Sequence, residues 1–138
     1  MSPDEIRAFL LHGTRTGKLA VSMRSGHPHV MPIWFVLDGE DIVFTTQAHT
    51  VKGRWITADG RVSLCVDEEV APYAFVHLRG RASYSEELAD LLRWATLIGG
   101  RYMGEKRAGE YGRRNAVAGE LLVRLTPERV IAKTGVAD

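Results

Sequence analysis

Apolar and polar residues alternate along this chain with two different periods, and the changes of period mark out its elements. Ile6, Phe9 and Leu10 recur at helical spacing behind Ser2-Pro3-Asp4-Glu5, a stretch with the composition of a capping box and a proline at the first helical position. A short helix is expected there, ending at Gly13. Over residues 17–23 the period drops to two: Leu19, Val21 and Met23 alternate with Lys18, Ala20 and Ser22, a strand with one buried face. Turn residues at 24–28 lead to a second strand, VMPIWFVLD, interrupted by Pro32, which has no N–H to give to a ladder. Asp38-Gly39 suits a hairpin turn into a third strand over 41–46, so three successive antiparallel strands are expected to form a meander.

Helical spacing returns at Val51, Trp55 and Ile56, between Gln47 and Asp59, and Gly60 stops it. Strands follow over 61–67 and 73–83; in the second, Ala74, Val76, Leu78 and Ala82 face away from Phe75, His77, Arg79 and Arg81. The longest helix is expected to open at Ser85, with Leu88, Leu91, Leu92, Ala95, Ile98 and Tyr102 along one stripe and Gly99-Gly100 loosening its last turn. Residues 103–115, glycine-rich and charged without a clear period, read as a mobile loop suited to a lid or a partner contact. Two strands over 120–126 and 130–133, joined by Pro127-Glu128-Arg129, close the chain. Six or seven antiparallel strands with few helices would leave exposed edges in an open sheet. The expected fold is therefore mainly β (α+β), a closed or split barrel with the long helix over one open end.

Composition narrows the function classes. At 138 residues, one domain spanning 1–138 is expected. A formal net charge of +1 argues against nucleic acid as the partner, since phosphate-backbone binders carry a basic stripe. The single cysteine, Cys65, permits no intrachain disulfide and sits in a strand pattern that makes it a small core residue. No apolar run approaches the roughly 18 to 20 residues of a membrane span, and no signal peptide is recognisable, so a cytoplasmic protein without membrane attachment is expected.

Candidate chemistry gathers in residues 42–67. Lys52 and Arg54 lie between two strands, with hydroxyls just upstream at Thr45, Thr46 and Thr50. Charge-assisted donors and hydroxyls in one turn suit a phosphate, and backbone N–H groups at the start of the short helix add to that; a solvated basic turn has the same composition. Trp34, following Pro32 in an interrupted strand, offers an aromatic platform for a flat ligand, whereas Trp55 and Trp94 fit core or interface roles. Arg101, Lys106, Arg107, Arg113 and Arg114 form a basic zone, either a solvated face or a guide for an anionic cofactor tail. His27 and His29 have no acidic or thiol partners at metal-ligand spacing, and no nucleophile-base signature is present.

The order of these features resembles the pyridoxamine 5'-phosphate oxidase-like split β-barrel flavoproteins. The resemblance rests on the N-terminal helix before GKLAVSM, Gly26-x-Pro28-x-x-x-Pro32-x-Trp34, Thr45-Thr46, Lys52-x-Arg54 and Asp59-x-Arg61-Val-Ser-Leu. Within that superfamily the chain looks most like the short actinobacterial group that uses the deazaflavin coenzyme F420. The resemblance implies an FMN-binding split-barrel fold and a homodimer with a cofactor at each subunit interface. Lys52 and Arg54, assisted by Thr46 beside Thr45, would hold the cofactor phosphate; Pro32, Ile33 and Trp34 would line the ring; Pro72 and Tyr73 would arrive from the other subunit. Trp55 stands where many relatives have Asn, which alters the contact near the phosphate tail. The implied activity is F420H2-dependent hydride transfer to a small conjugated substrate, with the cofactor performing the chemistry. FMN, which shares the tricyclic ring and ribityl phosphate, is the alternative. A non-catalytic F420 carrier or a haem-binding relative would use the same barrel, haem requiring His27, His29 or His77 as axial ligand.

Overall fold

The computed structural model describes residues 1–138. Helix α1 (Pro3–Leu11) starts as its composition demands: the Glu5 N–H donates to Ser2 Oγ at 3.2 Å, and the Ser2 N–H donates to the Glu5 carboxylate at 2.7 Å. Seven strands form one antiparallel sheet: β1 (Gly17–Ser22), β2 (Pro28–Ile33), β3 (Val36–Asp38), β4 (Asp41–Gln47), β5 (Arg61–Glu68), β6 (Ala74–Ser85) and β7 (Glu120–Lys133). Their spatial order is β2-β1-β5-β6-β7-β4-β3. Helix α2 (Val51–Ala58) lies between β4 and β5 in sequence. Helix α3 (Leu88–Met103), a 3₁₀ turn (Glu105–Arg107) and helix α4 (Ala108–Asn115) lie between β6 and β7. No helix is long and apolar enough to cross a membrane.

Strands β2 and β3 end the sheet at opposite edges, yet only Trp34 and Phe35 separate them in sequence. So short a link reaches about 10 Å from Ile33 to Val36, and the sheet must curl until its two edges meet there. The result is a split barrel, with residues 34–35 as its seam. The single strand expected over 30–38 is therefore two strands, and the expected meander does not form: β2 pairs with β1, and β3 with β4. Pro32 falls in an edge strand, the part of a sheet that tolerates a residue without an N–H. In the other direction, the two strands expected near the C-terminus are one. Pro127 is absorbed at a register shift opposite Arg79/Gly80, where a Cβ on Gly80 would lie 2.0 Å from the Thr126 carbonyl oxygen.

Inward side chains of the strands, among them Leu19, Phe44, Leu64, Val66, Val76, Leu78 and Val123, fill the barrel together with Leu10 of α1 and Ile56 of α2. Each such side chain contributes about 1.5–3 kcal/mol on burial. The long helix does not cover an open end. Leu91 and Trp94 of α3 pack on Val43 and Leu122, which point outward from β4 and β7, so this wall of the barrel is buried on both faces.

Residues 103–115 are not a loop. Helix α4 packs along α3, and glycines make the approach possible: a Cβ on Gly99 would meet Tyr111 Cβ at 2.6 Å, and one on Gly112 would meet Thr96 Oγ1 at 2.0 Å. Glycines that look like helix breakers are here the contact points between two helices, and α3 runs unbroken through Gly99-Gly100 to Met103.

Candidate functional site

Between the two edge strands, the seam backbone has no strand on either side to pair with and needs other partners. The end of α3 supplies them. The Phe35 N–H donates to the Tyr102 hydroxyl at 3.2 Å, and the Arg101 guanidinium donates to the Phe35 carbonyl at 2.6 Å. The same guanidinium donates to the carbonyls of Leu10 (2.8 Å) and Gly13 (3.0 Å), while the Tyr102 hydroxyl donates to the Arg15 carbonyl at 2.8 Å. Two consecutive residues thus tie the seam, the end of α1 and the following loop together. Tyr102 also stacks on Trp34, with centroids 5.0 Å apart and planes 6° from parallel, which fixes the plane of the indole. Tyr111 of α4 stands tilted to it at 53° and 6.0 Å.

Across from the seam, α2 is pinned to the end of β4. The Thr50 hydroxyl accepts from the Gly53 N–H at 3.2 Å, donates to the Gln47 carbonyl at 2.8 Å, and lies 3.3 Å from the Thr46 hydroxyl. Gly53 leaves no room for a side chain: a Cβ would sit 2.2 Å from the Gln47 carbonyl oxygen and 2.9 Å from that of Ala48. This tight seating holds Lys52, half-buried, beside the start of β7. Burial pushes the Lys52 ammonium below the ordinary lysine range, and nearby Glu120 opposes the shift. Glu120 is only 7% exposed. Burial pushes its carboxyl up, opposed by the positive charges of Lys52, His49 and Arg114.

These parts face one another across a cleft of about 280 Å³. Five of the nine residues singled out in the sequence line it: Pro32, Ile33, Trp34, Thr45 and Lys52. The other four do not. Thr46 is buried and its hydroxyl is engaged with Thr50; Arg54 points outward on α2; Trp55, beside it, packs against the barrel core. Pro72 and Tyr73 sit in an exposed turn before β6, where their carbonyls accept from the N–H groups of Ala137 (3.0 Å) and Val136 (3.1 Å). Tyr73 has φ of +66°, a region that L side chains rarely adopt.

The remaining lining comes from Ile98 of α3 and from Tyr111, Arg114 and Asn115 of α4. Of these, Arg114 stood in the sequence only within a basic zone read as a solvated face or a guide for an anionic cofactor tail; Ile98, Tyr111 and Asn115 were not assigned to a site. Positions 111, 114 and 115 share one helical face, a signal that the neighbouring glycines and arginines conceal. Arg114 supplies a second cation to the cleft, so the arrangement offers two positive donors, a fixed indole and an edge-strand backbone to one ligand. His27, His29 and His77 do not line it. No group of three or more His, Cys, Asp or Glu residues is placed to hold a metal ion.

The fold recurs among solved structures. A conserved hypothetical protein from Mycobacterium tuberculosis superposes with a TM-score of 0.85 at 27% identity, over 98% of this chain and 86% of that one. A protein described as an F420 reductase superposes with a TM-score of 0.69 at 26% identity, over 90% of this chain and 94% of its own. HutZ, the haem storage protein of Vibrio cholerae, shares the fold with a TM-score of 0.76 at 20% identity, over 99% and 98%. No curated protein matches by sequence. The sequence profile of the family described as pyridoxamine 5'-phosphate oxidase matches residues 2–134, nearly the whole length. The chain belongs to the pyridoxamine 5'-phosphate oxidase family.

Proposed function

We propose that this protein is an F420H2-dependent reductase that acts as a homodimer on a small conjugated substrate. The observation that carries the reading is the cleft itself, where half-buried Lys52 and the exposed Arg114 stand opposite Pro32, Ile33 and the fixed ring of Trp34. The likeness to an F420 reductase at 26% identity adds to it. A phosphorylated, ring-bearing cofactor matches this donor set. Lys52 and Arg114 would hold the phosphate by charge-assisted hydrogen bonds, and the Pro32–Trp34 backbone would face the ring. Reduced deazaflavin, when bound, supplies a hydride to the acceptor. The chain's part is to hold ring and acceptor within about 3–3.5 Å, and the Tyr102 and Arg101 clamp on the seam serves that positioning.

A cleft of about 280 Å³ lies below the usual range of about 300–1,000 Å³ for small-molecule sites, and Trp34 is 39% exposed. A second subunit presenting its Pro72–Tyr73 turn would complete the enclosure. FMN is the competing cofactor, because the phosphate handle is common to both. Titration with F420 and with FMN separates them: saturable F420 binding, followed by substrate-dependent loss of F420H2 absorbance, is the expected result. Tight FMN binding without F420 affinity would replace the reading by an FMN-dependent oxidase or reductase. Binding of F420 without turnover on enones, quinones and tetrapyrroles would make the protein a carrier. A Soret band on haem addition, with no affinity for either flavin-like cofactor, would make it a haem module.

A further inference from the structure

We propose that the outer face of the barrel carries a second binding site, for a compact polyvalent oxyanion of the phosphoryl type, built on Arg79 and Arg81 of β6. It occupies a groove of about 390 Å³ at the turn end of the β1–β2 hairpin and shares no residue with the cleft. Pro28 borders the groove and Pro32 the cleft; four residues of strand β2, about 13 Å, separate them.

The pairing of β5 with β6 sets Arg61 opposite Arg81 and Ser63 opposite Arg79. Positions 79 and 81 are on one face, about 7 Å apart along the strand, and Arg61 lies directly across at about 5 Å between Cα atoms. Like charges directly opposite each other destabilise a sheet. The neighbouring acids offset them only in part. Asp59 accepts its hydrogen bonds from Arg61, whose Nε and Nη2 each donate to it at 2.7 Å; this pairing, with a smaller contribution from the charge of Arg81, lowers the Asp59 carboxyl to about 2. The Arg79 and Arg81 guanidiniums make no hydrogen bond or ion pair within the chain, in a protein whose formal net charge is only +1.

The rest of the groove selects among anions. Ser22 and Ser63 contribute hydroxyls, and no aromatic ring is present on which a nucleobase could stack. Glu128 lies in the lining and repels a monovalent anion about as strongly as one arginine attracts it. A small ligand with several negative oxygens, taken by two guanidinium forks, satisfies all of these conditions.

Calorimetric titration with sodium pyrophosphate at constant ionic strength, on the full chain, tests the site. The wild type and Lys52→Ala are expected to bind with Kd at or below the millimolar range, and Arg79→Gln/Arg81→Gln about tenfold or more weaker. Because the double substitution removes apposed like charges, it is expected to melt no lower than the wild type without ligand, which separates lost binding from lost folding. Arg81→Gln alone serves as a second, milder variant with the same expected direction. Absence of saturable binding to the wild type would overturn the site. So would binding abolished by Lys52→Ala but kept by the double variant, which belongs to the cleft, and so would equal competition by chloride, which marks a nonspecific charge effect.

Discussion

Lys52 and Glu120 illustrate how burial turns two ordinary residues into a tuned pair. Each is displaced toward its neutral form by loss of water, and each is partly restored by the other. Neither forms a direct ion pair, so Lys52 keeps its donors for a ligand. Lys52→Ala is expected to weaken F420 binding about tenfold or more in a fluorescence titration, the loss of one charge-assisted contact. An unaltered dissociation constant would remove Lys52 from the site. For Glu120 the folded carboxyl titrates above its ordinary value of 4.5, so the folded chain holds more protons than the unfolded one just above that pH. Its contribution to stability is complete below pH 4.5 and declines as the pH rises through the folded value. Glu120→Gln, which does not titrate, should therefore gain stability relative to the wild type across that window and gain nothing further above it. Thermal melts at a series of pH values check this; parallel curves for the two proteins would mean that the carboxyl is not strained. The same substitution should tighten phosphate binding at neutral pH, because Lys52 and Arg114 would then face a neutral side chain.

At the scale of elements, α2 is located by the absence of a side chain. Gly53→Ala would drive a Cβ against two backbone carbonyls that cannot rotate away, costing about 1–3 kcal/mol and shifting Lys52 out of the cleft. A denaturant midpoint equal to wild type would contradict that account. Elements governed by local chemistry were legible in the sequence: the Ser2/Glu5 cap of α1, the alternation of β1 and β5, and the helical spacing of α2 at Val51, Trp55 and Ile56, with Lys52 in its first turn. Pro32 and Trp34 stood out for the same reason, a proline interrupting an apolar run. The break at Trp34–Phe35 was not legible, because the apolar pattern continues across it and only the pairing of distant strands decides where one ends. Helix α4 was hidden by Gly109 and Gly112, whose effect on propensity is visible in the sequence while the packing of Gly112 against Thr96 of α3 is not. Tyr111 and Asn115 were lost with it, and Arg114 was visible only as one member of a basic zone.

For the whole molecule, the proposed homodimer assigns Tyr73 to the neighbouring subunit's cleft. A tyrosine at φ of +66° carries about 1 kcal/mol of backbone strain that glycine would relieve. Tyr73→Gly is therefore expected to fold at least as stably as the wild type and yet to bind cofactor less tightly, with sedimentation velocity reporting whether the dimer persists. Wild-type affinity in that variant would exclude Tyr73 from the site. The seam has a different consequence, visible in hydrogen exchange. Amides of β5, β6 and β7 are paired on both sides of their strands and are released only when the sheet as a whole comes apart. The Phe35 amide is held instead by the Tyr102 hydroxyl, so it exchanges whenever the last turn of α3 lifts from the barrel. A ligand resting on Trp34 should slow deuterium uptake at Phe35 while leaving β6 unchanged, and equal slowing in β6 would indicate stabilisation of the entire chain. One amide thus reports the local opening of the place where the barrel is closed by chain alone.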